Sequence, residues 1–349
     1  MAHKSRIRAL AAVAVAAAAA VALAACSPAD MATGSSPAAS GGGKITNVTI
    51  QIDGSAVPYY APLYEAVEQG YFAKNGLNVS FTYAQGSDIL QNVAAGNVQF
   101  GFPNGDSVIT AKGKGVDVRV IHTTYQQGIG AVLFNKNTSG ITDPASLKGK
   151  TIAVTDLGSP NYIQLQAILK SAGLTVQDVT VKTIGTGAIV QALQAGQVDA
   201  IVFSRLRYFP LQEAGFPVGQ ILSDGYLPSF GNVLVTSPSL LKDDPAAAKG
   251  FADALNKGIE YVIAHPAQSV ADSIKNYAPT FKGQEDSVTA IIKSLFIPTL
   301  WQSDATKKNG LGYGDLTRWQ DAIDAQQKFG LIDQSYSAKS LVVEPDALK

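Results

Sequence analysis

From Ile45 onward the apolar positions follow two periods in turn. Runs of alternating apolar and polar residues at Asn47–Ile52, Val79–Tyr83 and Val98–Phe102 predict strands. Between them, Pro62–Phe72 and Asp88–Ala95 repeat apolar residues every three or four positions and predict helices. In the first helix Ala61, Tyr64, Ala66 and Val67 share the apolar side, and Gly76 follows where a left-handed C′ residue ends a helix. This βαβαβ order predicts a parallel sheet with helices on both faces.

The same order returns later. Thr151–Val154 reads as a strand and Ile163–Ala172 as a helix closed by Gly173-Leu174, as Gly76-Leu77 closed the earlier one. Val179–Ile184 and Ile201–Phe203 read as strands, with a helix at Ile189–Ala195. ILQNVAAGNV at 89–98 and IVQALQAGQV at 189–198 lie 100 residues apart and agree at five of ten positions. Two related lobes account for both the order and the register. After Val235 the pattern turns helical. Asp244 with Pro245 marks an N-cap and N1 pair opening a helix to about Ala264. Further helices are predicted near Ala267–Tyr277, Gln284–Leu295 and Asp315–Phe329. They are too poor in strands for a third α/β domain, so they should pack on one lobe. The expected division is lobe 1 at 44–131 plus 236–349 and lobe 2 at 132–235. The chain would cross between lobes near Gly130–Phe134 and Phe230–Leu234, a two-crossing hinge that suits closure around a ligand.

Ahead of this body, Met1–Arg8 is short and basic and Ala9–Ala25 is uncharged and rich in Ala. These are the n- and h-regions of a secretory signal. The run is short for a membrane span, which needs roughly 20 strongly apolar residues. Leu23-Ala24-Ala25-Cys26 resembles a bacterial lipobox, so 1–25 is expected to be a lipoprotein signal peptide and Cys26 the lipidated residue. A chance cysteine in an uncleaved anchor is the alternative. Residues 26–43, mostly Ser, Ala, Gly and Pro, read as a flexible linker holding the body near the membrane outside the cytoplasm.

Composition narrows the function classes. The 349 residues carry 27 basic and 27 acidic side chains. Lys4, Arg6 and Arg8 are the charged residues before Cys26, so the chain from Cys26 onward is mildly acidic and lacks a basic stripe for nucleic acid. The single cysteine excludes an internal disulfide, a CxxC pair and any multi-cysteine metal site.

In open α/β sheets, ligands bind beyond the carboxyl ends of the strands. That rule selects Asp53–Tyr60, Gln85–Ser87 and Asn104–Asp106 in the first copy. In the second it selects Asp156–Tyr162, Thr186-Gly187 and Ser204–Tyr208, with Tyr125 just before the first crossing. The candidate ligand residues are Asp53, Tyr59, Tyr60, Ser87, Asn104, Tyr125, Ser159, Asn161, Tyr162, Thr186, Ser204 and Arg205. Tyr rings at these loops could stack on a flat ligand. Ser87 and Thr186 occupy equivalent places at helix starts, and Ser159-Pro160-Asn161 opens a third helix. Each hydroxyl could equally cap its own helix. Only Arg205 and Arg207 bring positive charge near the cleft, and at least one is expected to point to solvent, so a strongly anionic ligand lacks an obvious fixed counter-charge unless Arg205 supplies it.

Signs of catalysis are few. His122 follows an apolar strand and His265 ends a helix, and neither adjoins a nucleophile motif. No G-x-S-x-G, H-E-x-x-H or G-x-G-x-x-G after a strand occurs. Gly149-Lys150-Thr151 fails as a P-loop because position 144 is Pro. Neither a cofactor nor a metal is expected.

VPYYAPLYEAVEQGYFAKNGLNV at 57–79 carries Ala66, Gly70-Tyr71-Phe72 and Gly76-Leu77-Asn78-Val79. With AAGNVQFGF at 94–102, ITDPASLKGKTIAV at 141–154 and Trp319–Ile332, it resembles bacterial ABC-importer solute-binding proteins of the nitrate, sulfonate, taurine and thiamine-pyrimidine-precursor family, NMT1/THI5-like and SsuA-like. The resemblance implies a type II periplasmic-binding-protein-like fold and a monomeric receptor that delivers a small molecule to permease subunits. Tyr59, Tyr60, Ser87, Asn104, Ser159 and Asn161 match positions used in the family cleft. Asn161-Tyr162 departs from the His-Tyr of sulfonate binders, and Ile50, Gln51 and Ile52 lack the Trp of pyrimidine binders. The fungal pyrimidine synthases of the family use a Cys-rich motif, which this chain lacks. The expected ligand is a thiamine pyrimidine precursor or similar heteroaromatic. Aliphatic sulfonate, taurine or nitrate is the second choice, and a synthase-like enzyme the alternative of another class.

Overall fold

The computed structural model describes residues 46–343 and 348. The signal segment, Cys26 and the linker lie outside the described residues. Ten strands form two five-stranded sheets. The first holds β1 (Thr46–Asp53), β2 (Leu77–Ala84), β3 (Phe100–Phe102), β4 (Arg119–His122) and β10 (Leu234–Thr236), in the order β2-β1-β3-β10-β4. The second holds β5 (Gly130–Asn135), β6 (Thr151–Val154), β7 (Thr180–Thr183), β8 (Ala200–Ser204) and β9 (Val218–Leu222), in the order β7-β6-β8-β5-β9. The orders are equivalent strand for strand, so the repeat seen in the sequence is present in the topology.

The expectation of parallel sheets is corrected. β1 pairs in parallel with β2 and β3, and β6 with β7 and β8, but β10 and β5 run antiparallel to both of their neighbours. The reason is where the chain enters. The parallel strands end at the face that looks toward the other lobe. After β4 the chain crosses at 123–129 and starts β5 from that face, and after β9 it crosses at 223–233 and starts β10 likewise. A strand entered from the carboxyl edge of its neighbours must run against them. The first crossing therefore precedes Gly130 rather than beginning there.

Both faces of each sheet are covered. On one side of the first sheet Ile50, Ile52 and Phe100 pack with Phe251, Leu255 and Trp301; on the other Ile89, Val93 and Val235 pack with Phe230 and Trp319. The second sheet divides its core in the same way, around Val132, Ile152 and Leu165 and around Leu133, Ala153 and Leu193. The helix Pro245–Ala264 is capped as the sequence indicates, with Asp244 Oδ1 accepting from Ala247 N at 3.0 Å. It lies so close to the helix Ala61–Glu68 that a Cβ at Gly258 would overlap Pro62 O.

Two predicted helices differ from expectation. Pro62–Phe72 is broken: the first segment ends at Glu68, Gly70 takes φ +68°, and a short helix resumes at Tyr71–Lys74. Left-handed backbone there is available to Gly at little cost. The segment from Glu285 is α-helical only to Ile291 and continues to Leu300 as a π-helix containing Pro298. Proline lacks the N–H that an α-helical ladder needs, and the wider turn accommodates the loss. No helix among the described residues is long and apolar enough to cross a membrane.

Candidate functional site

A cavity of about 140 Å³ lies between the carboxyl edges of the two sheets. Each wall is built from strand ends and helix starts. From the first lobe, β1 ends at Asp53, the loop after it delivers Tyr59 and Tyr60, and Asn104 stands where β3 gives way to the helix Gly105–Gly113. Asn104 caps that helix, its Oδ1 accepting from Asp106 N at 3.0 Å. From the second lobe come Thr155 after β6, Asn161 and Gln164 on the helix Pro160–Ser171, Thr186 after β7, Ser204 at the end of β8 and Arg207 after it. The crossings add Tyr125, Ile129 and Asn232.

The aromatic wall is preformed by packing. Tyr59 stacks on Phe296 with ring centroids 5.2 Å apart, and Tyr125 meets Phe296 edge-on at 5.5 Å. Tyr60 stands edge-on to Phe102 at 6.0 Å and donates its hydroxyl proton to Asp53 O at 2.7 Å. Such pairs lock ring orientation as well as burying area. A flat ligand would meet edges and faces already held in place.

Of the residues expected in the site, Asp53, Tyr59, Tyr60, Asn104, Tyr125, Asn161, Thr186 and Ser204 line the cavity. Ser87, Ser159, Tyr162 and Arg205 do not. Ser159 is buried and spent on its own helix, accepting from Tyr162 N at 3.3 Å while donating to Asp156 O at 2.7 Å. The Tyr162 ring packs against the core of the second lobe. Ser87 is exposed and one residue inside its helix, whose N-cap is Gln85, so it neither caps nor enters the cavity. Thr186 reaches the cavity but does not cap either, because the N-cap of its helix is Ala188.

The choice between the two arginines is reversed. Arg205–Arg207 form one turn of 3-10 helix, in which residues two apart project in different directions. Arg207 faces the cavity, over the Phe203 ring at 5.5 Å. Burial pulls its pKa below the usual guanidinium value, while Tyr59 and Tyr60 act to raise it. Arg205 does not line the cavity; burial lowers its pKa and the charge of Asp224 acts to raise it. Gln164, Asn232 and Gln85 also line the cavity. Gln85 lies inside Gln85–Ser87, a range that the strand-end rule selects. Gln164 lies a full turn inside a helix and Asn232 on a crossing, where that rule does not reach.

Asp53 gives the site its electrostatic character. Burial, and then the carboxylate of Asp156 in the other lobe, raise its pKa from 3.8 to about 7, against the lowering effect of a bond from the Gly86 backbone N–H. A carboxyl group so placed can donate a hydrogen bond when protonated and accept when ionised. Behind the cavity the carboxylate of Asp106 is fully buried and accepts from Gln164 Nε2 at 2.8 Å, a bond between the lobes. The crossings are tied nearby. Asp224 Oδ1 accepts from Gly128 N at 2.9 Å, Ser229 N at 3.2 Å and Arg318 Nη2 at 2.7 Å.

The walls thus combine two lobes, packed aromatic rings, amide side chains and one arginine around a single cavity. Comparison with known proteins agrees with this arrangement. Residues 57–269 match the family model described as NMT1/THI5 like. The chain belongs to the NMT1/THI5-like family. The riboflavin-binding protein RibY of Chloroflexus aurantiacus is 26% identical over 276 residues, covering 78% of each chain. The 4-amino-5-hydroxymethyl-2-methylpyrimidine phosphate synthase of Aspergillus parasiticus is 27% identical over 242 residues, 65% of this chain and 70% of the synthase. Among solved structures, the alkanesulfonate-binding protein SsuA of Xanthomonas axonopodis pv. citri, bound to MOPS, superposes with a TM-score of 0.64 at 17% identity, over 86% of this chain and 100% of SsuA. This NMT1/THI5-like chain has the two-lobed fold of periplasmic binding proteins, and the relatives it resembles include one named as a binding protein and others named as synthases.

Proposed function

We propose that this protein is the solute-binding component of an ABC importer, capturing a planar heteroaromatic of the thiamine-pyrimidine or flavin type between its lobes and presenting it to permease subunits. The lining of the cavity carries the reading: Tyr59, Tyr60, Tyr125 and Phe203 offer ring surface, while Asp53, Asn104, Asn161 and Asn232 offer both donors and acceptors. Ligand sites of this composition orient a flat, mainly apolar molecule through a few polar groups. The likeness to riboflavin-binding RibY supports the ring class. The mechanism is binding and lobe closure, without covalent chemistry. The chain's one cysteine, Cys26, lies ahead of the folded body, which sets it apart from a synthase that depends on a Cys-rich motif. Lipidation of Cys26 would hold the receptor at the outer face of the membrane, and a Cys26→Ala variant should be released into the medium or periplasm.

A sulfonate is the second reading, and Arg207 in the cavity favours it. A thermal-shift panel separates the two. Ligand at 100 times its dissociation constant adds about 2.7 kcal/mol of stability. The proposal expects shifts with 4-amino-5-hydroxymethyl-2-methylpyrimidine or riboflavin and none with taurine, an alkanesulfonate or nitrate. Shifts with the anions alone would overturn it in favour of the second reading. Turnover of the pyrimidine or of a phosphorylated precursor would overturn the non-catalytic mechanism.

A further inference from the structure

Gln164 is 1% exposed and sits where the two lobes and the cavity meet. Its Nε2 donates to Asp106 Oδ2 across the lobe boundary at 2.8 Å. Its Oε1 has no hydrogen-bond partner among the described residues. A buried carbonyl oxygen left without a donor costs free energy comparable to a lost hydrogen bond, so native proteins rarely keep one without a use. The oxygen turns toward Gly130, which also lines the cavity; a Cβ at Gly130 would overlap it. Glycine at 130 leaves this amide room at the cavity wall, and Asp106 fixes which end of it points there.

We propose that Gln164 is a specificity-determining residue: its Oε1 accepts a hydrogen bond from an N–H or O–H group on the bound ligand, while its Nε2 holds the first lobe through Asp106. The inference rests on the receptor reading and deepens it. It requires a ligand with a donor at its deep edge, as an exocyclic amine or a ring imide provides. Nitrate and alkanesulfonate anions carry only acceptors and would leave Oε1 unsatisfied. One side chain then serves both ligand and lobe contact, because a hydrogen bond accepted by the amide oxygen polarises the amide and strengthens the bond its N–H donates. Ligand and lobe closure are linked through two atoms of the same group.

The test is a cycle of protein and ligand changes read as dissociation constants by calorimetry on the full mature protein. The ligands are 4-amino-5-hydroxymethyl-2-methylpyrimidine against the isosteric analogue with methyl in place of the 4-amino group, and riboflavin against 3-methylriboflavin. The protein change is Gln164→Met, close in shape and without a polar end. For the parent ligand that binds, Gln164→Met should weaken affinity about tenfold, the scale of one buried hydrogen bond. Removing the ligand's donor should weaken binding to the wild type by a similar factor and cost little further in the variant. Independent, multiplying losses, or no loss with either change, would overturn the role of Gln164. The wild-type measurement with the paired ligands stands even if Gln164→Met fails to fold. Failure of every heteroaromatic to bind wild type would instead count against the receptor reading, so the two failures are distinguishable.

Discussion

Asp106→Asn should make the protein more stable above neutral pH and leave it unchanged in acid. The Asp106 carboxyl is fully buried and its pKa rises from 3.8 to about 7, chiefly by burial; the bond from Gln164 works against that rise. Its folded-state pKa is thus above its unfolded value. Between about pH 4 and 7 the folded state keeps a proton that the unfolded chain has released, so stability falls as pH rises through that window. At about 1.4 kcal/mol per pKa unit, the full displacement corresponds to at most roughly 4 kcal/mol by pH 8. Asn keeps the shape, retains an acceptor for Gln164 Nε2 and never ionises. The variant should therefore match wild type at pH 4.5 and melt about 4–8 °C higher at pH 8, given roughly 2 °C per kcal/mol for a chain of this size. Asp53, raised to about 7 as well, adds its own slope to both proteins and cancels in the difference. Thermal melts at half-unit steps from pH 4.5 to 8.5 measure this. Parallel curves for the two proteins would refute the account of Asp106 as a buried charge.

Other substitutions probe separate parts of the structure. Gly258→Ala pushes a methyl into the Pro62 carbonyl, and should cost about 1–3 kcal/mol in urea unfolding while leaving ligand preference unchanged. Asp224→Ala removes the acceptor shared by Gly128, Ser229 and Arg318, and should cost about 2–4 kcal/mol and raise amide exchange at both crossings. Arg207→Met should change heteroaromatic affinity by less than about fivefold but abolish any binding of sulfonates, measured by calorimetry.

The fold was largely legible because its signals are local. Asp244 before Pro245, Ser159 before Pro160 and the alternation in β1 and β2 each name an element without reference to the rest of the chain. Direction was not legible where the element is short and its context distant. β10 is three buried residues, and its antiparallel course is set by a crossing more than a hundred residues downstream of β3. The cavity divides in the same way. Strand-end positions such as Asp53, Asn104 and Ser204 could be named from topology alone. Gln164 and Asn232 could not, since their place depends on how the lobes meet. Arg205 and Arg207 differ only in rotation about one turn, which composition does not encode.

The exchanged strands also set an order of assembly. β5 to β9 are contiguous, so the second lobe has its whole sheet once residue 222 is made. The first lobe does not, because β10 lies between β3 and β4. Until residues 234–236 arrive, the first lobe is a three-stranded sheet with an open edge at β3 and no partner for β4. Open edges of that kind are templates for aggregation. A nascent chain therefore carries that open edge until residues 234–236 are made, after every strand of the second sheet.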